Sequence, residues 1–396
     1  MTTVQGHCDP RFSALRDIFS QHLSSGNELG ASICVSINGT PVIDLWGGHA
    51  NPARTQPWGK DTIAPVWSIS KTISALAVLL LIDRGLLHPD DPVAKHWPAF
   101  NTPDKRGVLV RHCLSHSSAL PSWDPPISAE ELFDTPLATE KLISQKPWWE
   151  PGTASGYHLI SQGLLLGGIV ERVSGKSLPE FIRDELALPR TADFHLGIQD
   201  ETEWARIAEM VVPPPISPAD SLKSAGGGGG ASIAMRAMMG CPLKAEYTLT
   251  PEFRRSGIGS IGGFSNARGF NRILNILTLG GEVDGKRFLD RATVDLIFQT
   301  QSEGRDLVLG SRLKIGMGFG LVNGSLDWMP ASGKVCFWGG WGGSMAVMDL
   351  DRKVTFTYAM NRMENGTLGN QRAQDYFKAV YAVLEAEAGA EGRASL

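Results

Sequence analysis

Hydrophobic positions near the N-terminus first follow a helical spacing and then change to the pattern of strands. Apolar residues three or four positions apart predict an amphipathic helix over residues 11–25. Residues 30–48 are instead rich in β-branched side chains on both sides of Asn38-Gly39. Because asparagine and glycine both tolerate positive φ, this pair predicts a tight antiparallel β-hairpin.

The middle of the chain favours helices, and strands return towards its C-terminus. Residues 69–87 are apolar on nearly every side, which predicts a buried helix. Further helices are predicted at residues 162–173, 266–279, 291–301 and 371–387. Strands are predicted at residues 314–321, 335–338, 344–349 and 354–360. Five consecutive glycines at 226–230 indicate a mobile loop between these regions.

Strands at both ends and helices between them predict an α+β fold. The simplest packing joins the N- and C-terminal strands in one antiparallel sheet flanked by helices, with a mostly helical lobe inserted. We expect a single domain over residues 1–396, with an α/β lobe at about 1–66 and 265–396 and a helical lobe at about 67–264. A functional site is expected in the cleft between the lobes.

Composition narrows the class of partner. The chain has 396 residues, with 37 basic and 41 acidic side chains, and no basic stripe suggests a nucleic-acid partner. The longest apolar stretch, near 75–82, is too short to cross a bilayer core of about 30 Å, and the N-terminus lacks a signal-peptide pattern. Five scattered cysteines fit reduced thiols. We therefore expect a cytoplasmic protein with no membrane partner.

The first candidate for chemistry is Ser68-x-x-Lys71. A three-residue step on a helix places both side chains on one face, with Cβ atoms about 5–6 Å apart. Serine needs a base to become a nucleophile, and lysine can be that base when burial lowers its pKa. The start of the predicted helix 69–87 also favours developing negative charge. The same pattern also arises by chance from a capping serine and a surface lysine, and Ser70 is the main competing serine.

Two other segments could complete a site around Ser68. Tyr157 lies just before the predicted helix 162–173, and a phenol beside a lysine ammonium would lose its proton more readily and relay protons. Residues 337–344 are dense in glycine, which lets a substrate approach backbone N–H groups that can bind an oxyanion. The structural alternatives are a core aromatic for Tyr157 and a tight turn for the glycines.

The order Ser-x-x-Lys, tyrosine and glycine-rich strand resembles the serine β-lactamase and penicillin-binding-protein superfamily. The class C-like branch, with the family VIII carboxylesterases and related fungal acyltransferases, is the most similar. The resemblance extends over nearly the whole chain and implies a β-lactamase/transpeptidase-like fold. Further similar segments are 110–121 (VRHCLSHSSALP), 151–158, 167–178, 280–285 and 358–363.

The resemblance implies a role for each residue of the motifs. Ser68 would be the nucleophile, Lys71 its general base, and Tyr157 a group that assists proton transfer. The backbone N–H groups of Ser68 and Trp341 would form the oxyanion hole. The triplet 338–340 (Trp-Gly-Gly) stands where β-lactamases carry Lys-Thr-Gly.

Two departures from the family pattern point away from β-lactams. Trp338 cannot pair with a β-lactam carboxylate, and Leu159 replaces the asparagine of a Tyr-x-Asn motif. Both changes favour a neutral, apolar ester. The residues expected to contact the substrate are Trp338, Gly339, Gly340, Trp341, Trp123 and His158. The tryptophans have an equally simple alternative as core aromatics.

The leading hypothesis is hydrolysis of a small-molecule carboxylic ester through a Ser68 acyl-enzyme, with no metal or cofactor. One alternative is an acyltransferase that passes the acyl group to an alcohol in secondary metabolism. Others are a weak β-lactamase or peptidase and a non-catalytic binding protein. His112 and His116 have the i,i+4 spacing of metal ligands but lack an HExxH glutamate. The absence of a G-x-S-x-G motif argues against an α/β-hydrolase.

Overall fold

An antiparallel sheet joins the two ends of the chain. The computed structural model describes residues 3–213, 232–240 and 243–394, so the predicted loop at 226–230 lies outside the described residues. Within these residues the sheet has nine strands in the order β1-β3-β2-β14-β13-β12-β11-β10-β9. The strands are β1 (Gln5–Cys8), β2 (Gly30–Ile37), β3 (Thr40–Gly48), β9 (Ser302–Arg305), β10 (Arg312–Ile315), β11 (Gly320–Leu321), β12 (Val335–Gly339), β13 (Met345–Asp349) and β14 (Val354–Met360).

The predicted hairpin forms the N-terminal part of this sheet. Its turn residues Asn38 and Gly39 have φ values of 50° and 78°, the left-handed conformation that this pair of residues favours. Strand β2 then pairs with β14, and the register runs from Ile37 opposite Val354 to Ala31 opposite Met360. The predicted joining of N- and C-terminal strands in one antiparallel sheet is confirmed.

Helices cover both faces of the sheet, and they make up most of the chain between its N-terminal and its C-terminal strands. They are α1 (Ser13–Ser25), α2 (Ser70–Asp83), α3 (Val93–His96), α4 (Val110–Leu114), α5 (Ala129–Phe133), α6 (Thr135–Ser144), α7 (Ser161–Ser174), α8 (Leu178–Ile182), α9 (Ile233–Met239), α10 (Pro251–Arg255), α11 (Ala267–Thr278), α12 (Arg291–Leu296) and α13 (Gln371–Ala394). No helix among the described residues is both long and apolar enough to cross a membrane.

Alternate side chains of β14 show how the layers are arranged. Thr355 Oγ1 lies 2.8 Å from Thr278 Oγ1 of α11, while the neighbouring Phe356 packs against Phe377 of α13. Because successive residues of a strand point to opposite faces, α11 and α13 lie on opposite sides of the sheet. Helix α13 is further fixed by a buried ion pair of 2.7 Å between Arg372 and Glu28.

Several predicted elements differ in extent from the observed ones, and some strands were not predicted. The run predicted as one strand at 314–321 forms two strands, β10 and β11, because the chain reverses at Gly318, where φ is 85°. Helix α12 ends at Leu296 and is shorter than predicted. Strands β1 and β9 were not predicted, since their sequences QGHC and SEGR lack an apolar alternation.

A second, three-stranded sheet lies where the chain enters and leaves its helical part. It consists of β4 (Ala64–Pro65), β6 (Gly263–Ser265) and β5 (Phe194–Leu196), in that spatial order. A separate hairpin is formed by β7 (Glu282–Val283) and β8 (Lys286–Arg287). Pairing of β4 with β6 brings the predicted lobe limits near residues 66 and 265 together. The division into two lobes at those limits remains a prediction.

Candidate active site

Ser68 lies in a single 3-10 turn, Trp67–Ile69, that leads directly into α2. The preceding residue Trp67 has a φ of 50°, a left-handed conformation that costs a non-glycine residue roughly 1–2 kcal/mol. This backbone is held by the amide of Val66, which donates to Gly263 O of β6 at 2.9 Å. The turn thereby presents the Ser68 side chain at the floor of a cavity.

Lys71 is buried one turn further along, with its amine directed at Ser68. Its Nζ lies 3.1 Å from Ser68 Oγ, 2.7 Å from Leu159 O and 3.1 Å from Ser260 O. Burial lowers the pKa of Lys71 well below its usual value of 10.5. A neutral amine has two N–H donors and one lone pair. The two carbonyls accept both donors, so the lone pair is left for the Ser68 hydroxyl.

Tyr157 approaches Ser68 from the other side. Its hydroxyl donates to Ser68 Oγ at 2.8 Å, and the indole Nε1 of Trp338 donates to the Tyr157 oxygen at 3.3 Å. Lys71 Nζ lies 4.9 Å from the centre of the Tyr157 ring. Burial nevertheless raises the pKa of Tyr157 to about 12. The direction of this shift is opposite to the expected easy loss of the Tyr157 proton, because desolvation outweighs the hydrogen bonds with Ser68 and Trp338.

These contacts define one direction of hydrogen bonding through the site. Trp338 donates to Tyr157 and Tyr157 donates to Ser68, and when Lys71 is neutral the Ser68 hydroxyl can donate to its lone pair across the 3.1 Å contact. Every donor in the series has one acceptor when Lys71 is neutral and Tyr157 is protonated. The arrangement can remove a proton from Ser68 and supply another from Tyr157 on the opposite side.

The glycine-rich segment after β12 packs on the backbone that carries Ser68. A Cβ atom on Gly340 would lie 2.4 Å from the carbonyl oxygen of Val66, and the rings of Trp67 and Trp341 are 5.0 Å apart. Within the described part of the chain, the amide N–H groups of Ser68 and Trp341 have no hydrogen-bond acceptor. Two free donors beside the nucleophile fit the predicted oxyanion hole.

A cavity of about 650 Å³ opens above Ser68. Its walls are predominantly apolar, and no charged side chain lines it within the described residues. The lining residues are Trp67, Ser68, Leu159, Ile160, Met238, Leu243, Ile261, Leu309, Ser311, Leu326, Trp341, Asn365, Gly366, Thr367, Leu368 and Gly369. Such a site favours a neutral ligand with apolar groups, because a buried charge without a partner is costly.

Three predicted substrate contacts lie behind the cavity wall instead. A Cβ atom on Gly339 would lie 2.0 Å from the carbonyl oxygen of Thr367, so the segment 365–369 covers this edge of β12. Gly340 packs on Val66, and Trp338 packs on Tyr157. Of the triplet and its neighbour, only Trp341 lines the cavity within the described residues. Direct substrate contact of Trp338, Gly339 and Gly340 remains a prediction.

Trp123 and His158 are likewise structural in this fold. Trp123 is buried, and its Nε1 donates to the carbonyl oxygen of Ala138 at 2.8 Å. His158 is fully buried, with Nε2 2.8 Å from Ser118 Oγ and Nδ1 2.6 Å from Gly156 O. Burial lowers the pKa of His158 to about 4, so it is neutral. Neither side chain lines the cavity within the described residues, and their contact with substrate remains a prediction.

The other residues singled out for their chemistry form no further site. His112 Nδ1 accepts the amide N–H of Leu109 at 3.2 Å, and His116 Nδ1 accepts that of His158 at 3.2 Å. The described residues contain no cluster of three or more histidine, cysteine, aspartate or glutamate side chains placed to hold a metal. The described cysteines, at positions 8, 34, 113 and 336, are free thiols.

Two parts of the site were missed in the sequence. The segment 365–369 lines the cavity, and Asp306 accepts a hydrogen bond of 2.9 Å from the amide of Tyr157. The only signal for Asp306 was an isolated acidic residue in front of the apolar run Leu307-Val308-Leu309. That pattern is too common to indicate a site by itself.

The fold and the Ser-x-x-Lys pair with its tyrosine define a protein of the serine β-lactamase type. A model of the family described as beta-lactamase matches residues 15–381, and this chain belongs to the β-lactamase family, whose members include esterases. The predicted superfamily is thereby confirmed.

Individual relatives and solved structures agree with this assignment. The chain is 30% identical over 371 residues to the esterase/beta-lactamase LipL of Mycobacterium tuberculosis, which covers 91% of this chain and 83% of the relative. The crystal structure of a family VIII carboxylesterase matches with a TM-score of 0.87 and 30% identity, covering 96% of this chain and 100% of that one. A penicillin-binding protein homologue from Caulobacter crescentus matches with a TM-score of 0.84 and 32% identity over 96% and 100%. The β-lactamase/transpeptidase-like fold is confirmed.

Proposed function

We propose that this protein is a serine carboxylesterase that hydrolyses neutral esters with apolar groups through a Ser68 acyl-enzyme. The observation that carries the proposal is the position of Ser68 Oγ, 3.1 Å from Lys71 Nζ and 2.8 Å from the Tyr157 hydroxyl. It lies in a cavity that no charged side chain lines among the described residues. The names of the relatives support it, since LipL is described as an esterase and one matched structure as a carboxylesterase.

Acylation follows from the direction of the hydrogen bonds. Neutral Lys71 accepts the Ser68 proton while Ser68 Oγ attacks the ester carbonyl. The amide N–H groups of Ser68 and Trp341 bind the oxyanion that forms. Tyr157 gives its proton to the departing alkoxide, and the proton held by Lys71 restores the phenol. The alcohol leaves, and the acyl group stays on Ser68.

Deacylation reverses the same proton path. A water molecule takes the place of the alcohol, loses its proton towards Tyr157 and Lys71, and attacks the acyl carbonyl. Ser68 Oγ is then the leaving group and regains a proton from Tyr157, and the proton held by Lys71 restores the phenol. The carboxylic acid is released and the three side chains return to their initial states, so no cofactor enters the proton or electron balance.

The lining of the cavity supports a neutral substrate. β-Lactams and the peptides that resemble them carry a carboxylate, and a carboxylate in a desolvated site needs a cation. Trp338 stands where the resemblance places a cationic residue in β-lactamases, and no charged residue lines the cavity within the described part of the chain. Apolar acyl or alkyl groups would instead contact Leu309, Leu326 and Trp341.

Labelling and turnover test this proposal together. The wild-type protein is incubated with a fluorophosphonate and with p-nitrophenyl esters, and the adduct is located by intact-mass measurement and peptide mapping. We expect the label on Ser68, and we expect Ser68→Ala to abolish both labelling and turnover. The matched control is Ser70→Ala, whose hydroxyl bonds to the backbone of Trp67 and Gly263 within the described residues. It should remain labelled and active.

Two results would contradict the proposal. An active Ser68→Ala variant removes the nucleophile assignment, and nitrocefin turnover comparable to ester turnover removes the substrate class. Product analysis in the presence of added alcohols separates hydrolysis from acyl transfer, because a transferase yields a new ester in place of the free acid.

A further inference from the structure

Asp306 is a buried carboxylate beside Tyr157, although 149 residues separate the two in the chain. Its side chain is only 2% exposed. Oδ1 accepts the amide N–H groups of Tyr157 at 2.9 Å, Val308 at 2.9 Å and Leu309 at 2.8 Å. Oδ2 accepts the hydroxyl of Ser155 at 2.7 Å. One carboxylate therefore receives four hydrogen bonds from two distant segments.

The four donors are neutral groups, three backbone amides and one hydroxyl. Hydrogen bonds to an ionised acceptor are roughly twice as strong as those between neutral groups. An ionised carboxylate that is buried without such bonds destabilises the folded protein, and an apolar side chain in the same space would often give a more stable one. The carboxylate thus fixes the position of whatever it binds more firmly than packing would.

Asp306 ties the backbone of Tyr157 to a wall of the cavity. The amide of Leu307 donates to Ser155 O at 2.8 Å, so the two segments are bonded in both directions. Leu309 lies on the same segment as Asp306 and lines the cavity. The carboxylate thereby sets the distance between Tyr157 and a substrate lying against Leu309.

We propose that Asp306 is the positioning residue that holds the Tyr157 hydroxyl where it can protonate the leaving alkoxide. This inference rests on the proposed esterase function and names a residue that serves its proton-transfer step. The negative charge of Asp306 raises the pKa of Tyr157 and does not strengthen the acid, so the contribution of Asp306 lies in the position that it gives to Tyr157.

A series of esters with one acyl group and different alcohols tests this role. A p-nitrophenolate departs without a proton, whereas an ethoxide needs one from Tyr157. Loss of a correctly placed acid therefore steepens the dependence of kcat/KM on the leaving group. A general loss of folded protein instead lowers kcat/KM by the same factor for every ester. Tyr157→Phe defines the slope expected when the acid is absent.

Asp306→Asn is the main variant, because it removes the charge and keeps the shape. We expect kcat/KM to fall roughly tenfold or more for the ethyl ester and less than about threefold for the p-nitrophenyl ester. When Tyr157 is already replaced by Phe, Asp306→Asn should not further steepen the dependence of kcat/KM on the leaving group. Ser155→Ala, which removes one hydrogen bond and keeps the carboxylate, should change the slope in the same direction by less.

Asp349→Asn is the matched control. Asp349 is also fully buried, and it accepts hydrogen bonds from Tyr381 and Arg352, away from the cavity lining. Its loss should leave the leaving-group dependence unchanged. The positioning role is overturned if Asp306→Asn and Ser155→Ala lower kcat/KM equally for all esters while Tyr157→Phe steepens its dependence on the leaving group. The esterase proposal would remain in that case. A wild-type protein without Ser68-dependent ester turnover overturns both.

Discussion

The indole N–H of Trp338 donates to the phenol oxygen of Tyr157 at 3.3 Å, in the layer directly behind Ser68. The resemblance places a lysine at this point in β-lactamases. An indole supplies a hydrogen bond without a positive charge. Burial and the charge of Asp306 raise the pKa of Tyr157, and the hydrogen bonds with Ser68 and Trp338 lower it. Trp338 therefore makes Tyr157 a stronger acid without adding a charge to the site, as the proposed hydrolysis of neutral esters requires.

Trp338→Phe should weaken the acid without altering the nucleophile. The hydrogen bond from Trp338 opposes the effect of burial on the pKa of Tyr157, so its loss raises that pKa further. A neutral hydrogen bond is worth about 1 kcal/mol, which corresponds to a roughly fivefold lower kcat for alkyl esters. Measurements of kcat on ethyl and p-nitrophenyl esters check this result.

The control for Trp338→Phe is Trp97→Phe. Trp97 is buried against Phe100 and lies outside the cavity lining. It should change stability without changing the ratio of kcat values between the two esters. An equal loss on both esters in Trp338→Phe would show that the indole only fills space.

Lys71 should control the acid side of the pH dependence. The base must be neutral to accept the Ser68 proton, so kcat/KM falls as the pH drops through the pKa of Lys71. Burial places that pKa well below 10.5, and the fall should therefore begin well below this pH. Lys71→Arg keeps a cation that cannot deprotonate, and it should lower kcat by about a hundredfold or more at every pH.

Lys105→Arg provides the comparison for Lys71→Arg. Lys105 is also buried, and it donates to the backbone carbonyls of Ile143 and Gln145. Its replacement tests the general cost of a larger buried cation, so it should lower stability and leave the pH profile unchanged. A Lys71→Arg variant with the wild-type pH profile would exclude Lys71 as the base.

The parts of the fold that were predictable from the sequence are those encoded by neighbouring residues. The turn at Asn38-Gly39 and the strand at β14 follow from local turn chemistry and hydrophobic runs. Strand β9 is polar and has no apolar alternation, and the reversal at Gly318 interrupts a run that reads as one strand. Strand β9 is held by backbone pairing with the neighbouring β10, and the reversal by the positive φ of Gly318, and the pattern of apolar residues encodes neither.

The same division holds for the site. Ser68 and Lys71 were predictable because a three-residue step on a helix places them together, and Tyr157 because of its place in the motif order. The acceptors of Lys71 are the backbone carbonyls of Leu159 and Ser260, which carry no side-chain signal. The positions of Trp123 and His158 relative to the cavity were not predictable, because a sequence does not show which aromatic side chains line a cavity and which pack behind its lining.

Gly340→Ala should damage both stability and the oxyanion donor at Trp341. The new Cβ would lie 2.4 Å from the carbonyl oxygen of Val66, which is backbone and cannot rotate away. The strand must move from the segment that carries Ser68, and kcat should fall by about tenfold or more if one oxyanion donor is displaced. Thermal unfolding and kcat of the variant are the measurements.

Gly107→Ala is the matched control for this substitution. Its new Cβ would meet no atom within 4 Å, and its φ is not in the left-handed region. We expect wild-type activity and an unchanged or slightly higher Tm. A Gly340→Ala variant that equals Gly107→Ala in kcat would show that the strand edge does not position the oxyanion donor.

Acidification should unfold the protein through its buried histidines. Burial lowers the pKa of His158 from 6.5 to about 4, and it lowers that of His116 well below 6.5. Between these values the unfolded chain binds more protons than the folded one, so stability is lost as the pH falls from about 6.5 towards 4. The shift of His158 corresponds to a loss of roughly 3 kcal/mol once the pH is below both values.

Urea unfolding at a series of pH values measures this effect, and His158→Gln isolates it. The glutamine side chain can still bond to Ser118 but does not titrate in this range, so the decrease in stability with falling pH should become less steep. His88→Gln, at a side chain that is 69% exposed, is the control and should keep the wild-type slope. If His158→Gln also keeps that slope, the ring is already protonated in the folded state. A protonated ring would donate to both Ser118 and Gly156, whereas a neutral ring has one donor and one acceptor. That result would contradict the argument that burial keeps His158 neutral.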